Sequence, residues 1–174
     1  WRVFRERVAM RAAVAASPEA LVIAQVSKTL LPMRVPSRQV LSTMLVVFAL
    51  NSFSDQAVLS SSAHTYWAIT YGSTLETRVR YTPSSVFETF PRPELSEGLD
   101  RIGRVLDTER REIMLRRSLG LTKLYNLVND PELPAGADAD VSPVREIPDG
   151  HDHGDMAAYC RRPIDLDHRL RPPR

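Results

Sequence analysis

The sequence predicts an α+β fold: a small mixed sheet with a packed helix, then a helical C-terminal part and an irregular tail. Three observations lead there. Short runs rich in β-branched residues, Leu21 to Ser27 and Met44 to Leu50, have the length of strands. Two longer segments, 56–71 and 97–119, space their apolar residues as a helix does. From Glu132 onward Pro134, Gly136, Pro143, Pro148, Gly150, Gly154, Pro163, Pro172 and Pro173 leave little room for regular structure. The chain accordingly divides into residues 1–93, 94–131 and 132–174.

The elements follow in order. Val3, Phe4, Val8, Ala12 and Val14 form a rough apolar stripe over Trp1 to Ala16, with Arg2, Arg5, Arg7 and Arg11 between them. This reads as an amphipathic helix with a solvated basic face, or as a basic helix near a phosphate backbone. Ser17-Pro18 ends it, because the residue before proline avoids the α region. Leu21 to Ser27 is a strand, Arg38 to Ser42 a second, and Met44 to Leu50, apolar throughout, a third that should be central. Asn51 to Asp55 is a polar break with helix-capping residues. Gln56 to Tyr71 then reads as one helix, which Gly72 stops as the residue after the cap. Within it His64 and Trp67 are more often packed residues than a ligand and a base-stacking ring.

Leu75, Thr77, Val79 and Tyr81 alternate with Glu76, Arg78 and Arg80, so a half-exposed strand or extended loop is expected with both arginines on one face. Pro83 ends it, and Val86 to Phe90 adds a short extended piece. Ser96 is the N-cap of a long helix to about Leu119, with Leu99, Ile102, Leu106 and Ile113 on one side and Gly120 at its end. Glu109, Arg110, Arg111, Glu112, Arg116 and Arg117 are assigned to its wet face. Residues after about Pro134 are expected to be poorly ordered.

Composition narrows the function classes. Of the 174 residues, 43% are hydrophobic and 25% charged, as in a soluble globular domain. The lone Cys160 excludes an internal disulfide and a Cys-rich zinc site, and a free thiol fits a reducing cytoplasm. No apolar run reaches the length of a membrane span, so no membrane contact is expected. The sequence opens with Trp1 and shows no signal peptide. His151, Asp152, His153 and Asp155 resemble a metal cluster, but their Gly- and Pro-rich setting supplies no frame, and no metal is assigned.

A long run of residues carries a resemblance. Trp67-Ala68, Gly72-Ser73-Thr74-Leu75, and Arg80-Tyr81-Thr82-Pro83-Ser84-Ser85-Val86-Phe87-Glu88-Thr89-Phe90-Pro91-Arg92-Pro93 are similar, in order and spacing, to the C-terminal target-recognition region of large adenine-specific DNA methyltransferases. These are the fused type II restriction-modification and DISARM-like class. Val26-Ser27-Lys28, Val35-Pro36 and Val47-Phe48-Ala49 extend the likeness upstream, and Gly120-Leu121-Thr122-Lys123-Leu124-Tyr125-Asn126, followed by Asp130-Pro131, extends it downstream. Near the C-terminus the likeness breaks, where Pro148 to Asp155 stands in place of a family helix.

The resemblance implies double-stranded DNA as a partner, and a fragment whose methyltransferase domain lies N-terminal in a parent chain. It also implies S-adenosylmethionine as the parent's cofactor and adenine N6 as its target, in restriction-modification or phage defence. The chain itself lacks the Asn/Asp-Pro-Pro-Tyr/Phe loop that such a catalyst needs to hold a flipped adenine. It also lacks a Gly-rich turn for a cofactor and the paired acids and lysine of a restriction nuclease. No catalytic or cofactor-binding residue is therefore assigned.

Across residues 1–93 ten Lys and Arg stand against five Asp and Glu, an excess suited to a surface that meets phosphates. Lys28, Arg34, Arg38, Arg78, Arg80 and Lys123 are the candidate DNA contacts. The reading is a DNA target-recognition fragment without its catalytic domain. The alternative is a non-catalytic protein-interaction or structural module with a basic helix.

Overall fold

The structure, a computed structural model, describes residues 8–75, 78–130, 132–134, 136–139 and 141–145. A short helix, α1 (Val8–Ala15), buries only Val14 and leads into the first of two small sheets. Strand β1 (Glu19–Ala24) buries its four middle residues, Ala20 to Ile23, and lies at the centre of that sheet. β3 (Met33–Pro36) and β4 (Leu45–Phe48) flank it, both antiparallel, with Leu21 opposite Arg34 on one side and Phe48 on the other.

Two expectations are corrected here. β4 is an edge strand, and only Phe48 in it is fully buried. Residues 38–42 form no strand. The reason is topological. β3 ends beside Glu19 and β4 starts beside Ala24, on opposite flanks of β1. The chain between them must run the length of β1, which leaves Val40 wholly exposed in a loop.

The second sheet starts at Gln25. Its N–H donates to the Met44 carbonyl and its C=O accepts from the Tyr81 N–H, so this one residue stitches the two sheets together. β2 (Val26–Ser27) then pairs with β6 (Arg78–Arg80), which pairs with β5 (Ser73–Leu75). The strand expected over 75–81 is thus two paired strands of a hairpin, and residues 76–77 lie outside the described part. Among the described residues every strand pairing is antiparallel, where a mixed sheet was expected. The α+β class holds.

The single helix expected over 56–71 is two. Ser52 Oγ accepts from the Asp55 N–H to start α2 (Phe53–Ser60). Ser61 leaves the helical region at φ −68° and ψ 154°, and its Oγ caps α3 (Ser62–Tyr71) by accepting from the His64 N–H. Serine competes for backbone donors in this way, and that is why the run Ser60-Ser61-Ser62 interrupts the helix. α2 is buried from Ser54 to Ser60. Gly72 does end α3, but with φ −77°. It is small because a Cβ there would lie 2.4 Å from the Ala68 carbonyl oxygen and 3.2 Å from the Val79 side chain. The piece at 86–90, expected to be extended, is a helical turn in which Val86 and Phe87 donate to the carbonyls of Thr82 and Pro83.

Ser96 Oγ caps α4 (Glu97–Arg116) through the Leu99 N–H, as its sequence position predicts. The helix ends before Leu119; Ser118 takes up φ 50°, and Gly120 opens α5 (Leu121–Val128) instead of closing α4. α4 crosses α2 closely at Gly103, where a Cβ would lie 2.0 Å from the Phe53 carbonyl oxygen. Residues after Pro134 are not all irregular. Val141 and Val144, the latter in the turn α6 (Ser142–Arg145), are buried with Leu31, Ile113, Leu124, Tyr125 and Val128. These two valines and the ion pair of Asp138 with Arg117 anchor the segment, and Pro143 stands in the first helical turn, where no N–H is needed. The histidine-aspartate cluster at 151–155 and Cys160 lie outside the described residues.

The main core gathers Leu21, Ile23, Leu30, Phe48, Leu59, Val79, Tyr81 and Val86 under both sheets. Ala57, Val58, Phe90 and Leu99 join α2 to α4. Residues beyond 93 therefore pack directly on those before it.

Candidate nucleic-acid interface

β6 has the sequence Arg-Val-Arg, and its alternation is fully realised: Val79 is buried to 0% exposure and both arginines are exposed. Opposite them in register are Ser73 with Arg80 and Leu75 with Arg78 on one side, and Val26 with Arg80 on the other. Directly paired residues share a face of a sheet. Lys28, also exposed, lies just past the end of β2, after Ser27, which pairs with Val79. Arg78 and Arg80 thus share one face of β6, and a third exposed cation, Lys28, follows the end of the neighbouring strand β2.

The other candidates are placed differently. Arg38 is exposed in the turn after β3, at the Glu19 end of β1, whereas Lys28 follows the Ala24 end. At about 3.3 Å per residue the two ends lie roughly 17–20 Å apart. Lys123 is exposed on α5, whose buried side packs in the separate cluster with Ile113.

Arg34 is not available to a ligand, which corrects its assignment. Its side chain is 3% exposed. Nε–H donates to Gln56 Oε1 at 3.3 Å, Nη1 to the Asn51 carbonyl at 2.7 Å and Nη2 to the Ser52 carbonyl at 3.1 Å. Glu19 lies 3.6 Å from Nη1, and the guanidinium stacks 4.1 Å over the Phe53 ring. Arg34 ties β3 to the start of α2. The Gln56 amide then donates to Asp107 Oδ1 at 2.9 Å, and Asp107 also holds Arg111, so the polar chain reaches α4.

A second arginine, expected on a wet face, is also buried. Arg110 is 1% exposed and donates to the Pro32 carbonyl at 2.7 Å and to the Tyr125 hydroxyl at 2.6 Å. It clasps α4 and α5 to the loop between β2 and β3. Its position four residues after Leu106 and three before Ile113 is the signal that could have revealed this. Arg92, in the Phe-Pro-Arg-Pro exit, pairs with Asp55 at the start of α2.

Behind the hairpin the polar side chains are buried. His64 is 0% exposed; Nδ1 lies 2.9 Å from the Leu59 carbonyl and Nε2 lies 2.9 Å from the Tyr81 hydroxyl. A carbonyl only accepts, so Nδ1 carries the proton and the hydroxyl donates to Nε2. Burial pushes the imidazole down from 6.5 to about 4, partly opposed by its bond to Leu59. Burial also raises the Tyr81 phenol above its usual value. His64 is thus a packed, neutral residue. Trp67 is half-buried, and its indole N–H donates to Thr89 Oγ1 at 3.1 Å. Among the described residues no group of three or more His, Cys, Asp or Glu could hold a metal ion, and no helix is long and apolar enough to cross a membrane.

A family model described as the MmeI target recognition domain matches residues 6–94, which include the whole hairpin. Among solved structures the chain is similar to the type IIL restriction-modification enzyme MmeI, determined in complex with DNA. The TM-score is 0.51 at 20% identity, over 81% of this chain and 20% of that one. At this identity the likeness is one of fold, and the chain spans a fifth of the MmeI chain. No curated protein sequence matches.

Proposed function

The chain belongs to the family of the MmeI target recognition domain, and from that premise we propose that its β5–β6 hairpin reads the DNA sequence on which a restriction-modification enzyme acts. The observation that carries this is the shared exposed face of Arg78 and Arg80, with the exposed Lys28 just past the adjoining strand, inside the matched region. The major groove of B-DNA admits a two-stranded ribbon, and arginine is the commonest reader of guanine edges there. Lysine and arginine beside such a reader neutralise phosphates and hold its register. The parent chain supplies the chemistry: a methyltransferase domain N-terminal to this region uses S-adenosylmethionine to methylate adenine N6, in restriction or phage defence in the cytoplasm. The sequence resemblance supports that part of the reading.

The test is binding to duplex DNA at two salt concentrations. Loss of a phosphate contact weakens binding on all sequences alike and lowers the salt slope by about one. Loss of a guanine contact costs about 1–3 kcal/mol and relaxes specificity at one position. Arg78→Ala and Arg80→Ala should each show one of these signatures. If both variants bind as the wild type does, at matched stability, the hairpin is not the DNA surface, and Arg38 and Lys123 become the next residues to replace.

A further inference from the structure

The reading arginines sit on a sheet too small to hold them still. β6 has three residues, and its neighbours β2 and β5 have two and three. So few ladder bonds make a marginal platform by themselves. Its orientation must come from the side chains that point inward, and these are Val79 and Tyr81, both 0% exposed. Tyr81 follows Arg80 directly. Its N–H is bound to the Gln25 carbonyl, and its ring meets Phe48 edge-on at 5.9 Å. The hydroxyl donates to His64, and His64 donates to the Leu59 carbonyl. Leu59 lies in the last turn of α2, where helix carbonyls lack partners within the helix. The break at Ser61 thus exposes the acceptor that orients His64.

We propose that the buried Tyr81–His64 pair positions Arg78 and Arg80, and so sets how sharply the hairpin distinguishes base pairs while contributing little to its affinity for DNA in general. This rests on the DNA-reading role given above. Apolar packing alone would bury the Tyr81 ring equally well in several rotations. A hydrogen-bonded chain with one direction allows a single placement, because a buried donor left without its acceptor is costly. The two kinds of DNA contact respond differently to a loosened strand. Attraction between a guanidinium and a phosphate falls slowly with distance, so a shift of half an ångström hardly alters it. A bidentate contact to a guanine edge needs both bonds near 2.7–3.2 Å and well aligned, and the same shift removes it.

The experiment uses the full chain and a library of duplexes randomised over the central base pairs. The wild type enriches a sequence from it. Binding is then measured on that duplex and on a scrambled one, at a temperature where thermal unfolding shows each variant to be folded. Tyr81→Phe removes the donor and keeps the ring. His64→Leu removes the acceptor, and His64→Gln supplies another near the same place. Tyr81→Phe and His64→Leu should lower the ratio of specific to scrambled binding by about tenfold or more, one base contact's worth. Scrambled-duplex affinity and salt slope should stay within about twofold, and His64→Gln should restore the ratio to within about threefold of wild type. A Tyr81→Phe variant that keeps the wild-type ratio overturns the proposal, and so does an equal loss on both duplexes. A wild type that enriches no sequence instead overturns the DNA-reading role, and the positioning role falls with it.

Discussion

Gly103→Ala tests the packing that holds the second half of the chain to the first. In an exposed helix interior this change is favourable by about 1 kcal/mol, since alanine is the better helix former. Here the new Cβ would stand 2.0 Å from the Phe53 carbonyl oxygen, 2.6 Å from its carbon and 3.1 Å from the Phe53 Cβ. Carbon–oxygen contacts ordinarily lie at about 3.3–3.6 Å, so α2 and α4 must separate by more than about 1 Å. The obstacle is the backbone of the first residue of α2, a helix buried from Ser54 onward, and it cannot swing aside as a side chain would. Inserting a methyl into such a contact costs typically about 1–3 kcal/mol, and the top of that range applies. A radial gap of this size also forfeits part of the dispersion between Ala57, Val58 and Leu99. The net expectation is a loss of about 2 kcal/mol, read from the midpoint of urea unfolding at unchanged slope. Gly98→Ala is the control, because its Cβ would meet only Ser96 Oγ at 3.7 Å. It should be neutral or stabilising by up to about 1 kcal/mol. A Gly103→Ala protein as stable as its parent would show that the two helices do not touch there.

Arg34→Met should cost about 1–3 kcal/mol in the same assay, because it takes the guanidinium donor from the buried Gln56 Oε1 and unties β3 from the Asn51 and Ser52 carbonyls; DNA affinity per folded molecule should not change. His64 makes stability depend on pH. Its folded value of about 4 lies below the unfolded 6.5, so the unfolded chain binds the extra proton between them. This contribution is complete above pH 6.5 and is lost as pH falls toward 4, by at most about 3 kcal/mol. A His64→Gln protein should show a flatter profile over that window, and an identical slope would mean that the imidazole titrates normally. With S-adenosylmethionine and duplex DNA the purified chain should transfer no methyl group, since its sequence lacks the adenine-holding loop; radiolabel incorporated into DNA would contradict this.

Local chemistry was readable where a single element decides it. Ser96 caps α4 because its position before an apolar helical run leaves no better use for its hydroxyl. The shared face of Arg78 and Arg80 follows from the period of a strand, and survives even though the strand proved to be half of a hairpin. What needed the structure was partnership across elements. The buried stripe of α4 runs Leu99, Gly103, Leu106, Arg110, Ile113. Its spacing was visible, but a glycine and an arginine on it do not look apolar. Arg110 is inside with its Nη1 and Nη2 bonded to Pro32 and Tyr125, neither of them near it in sequence, while its buried Nε has no partner. Arg34 looks like a surface cation for the same reason: charge is local, whereas the acceptors that permit burial come from α2 and the residues just before it. The central place of β1 over β4 was also hidden, since both are apolar runs of strand length and only the path of residues 37–44 separates them.

The pairing of β2 with β6 also bears on the order in which the chain can fold. β1, β3 and β4 are neighbours in sequence, and their sheet needs only short loops to close. Val26 and Ser27, in contrast, wait for partners that lie beyond α2 and α3. Closing that long loop is unfavourable until the intervening helices have collapsed onto the first sheet. The hairpin therefore joins a scaffold that already exists, and it is the natural place for the first local opening as well. Amides of β5 and β6 should exchange with solvent ahead of those in β1, so the face offered to DNA would be the last part of this fold to be made and the first to be given up.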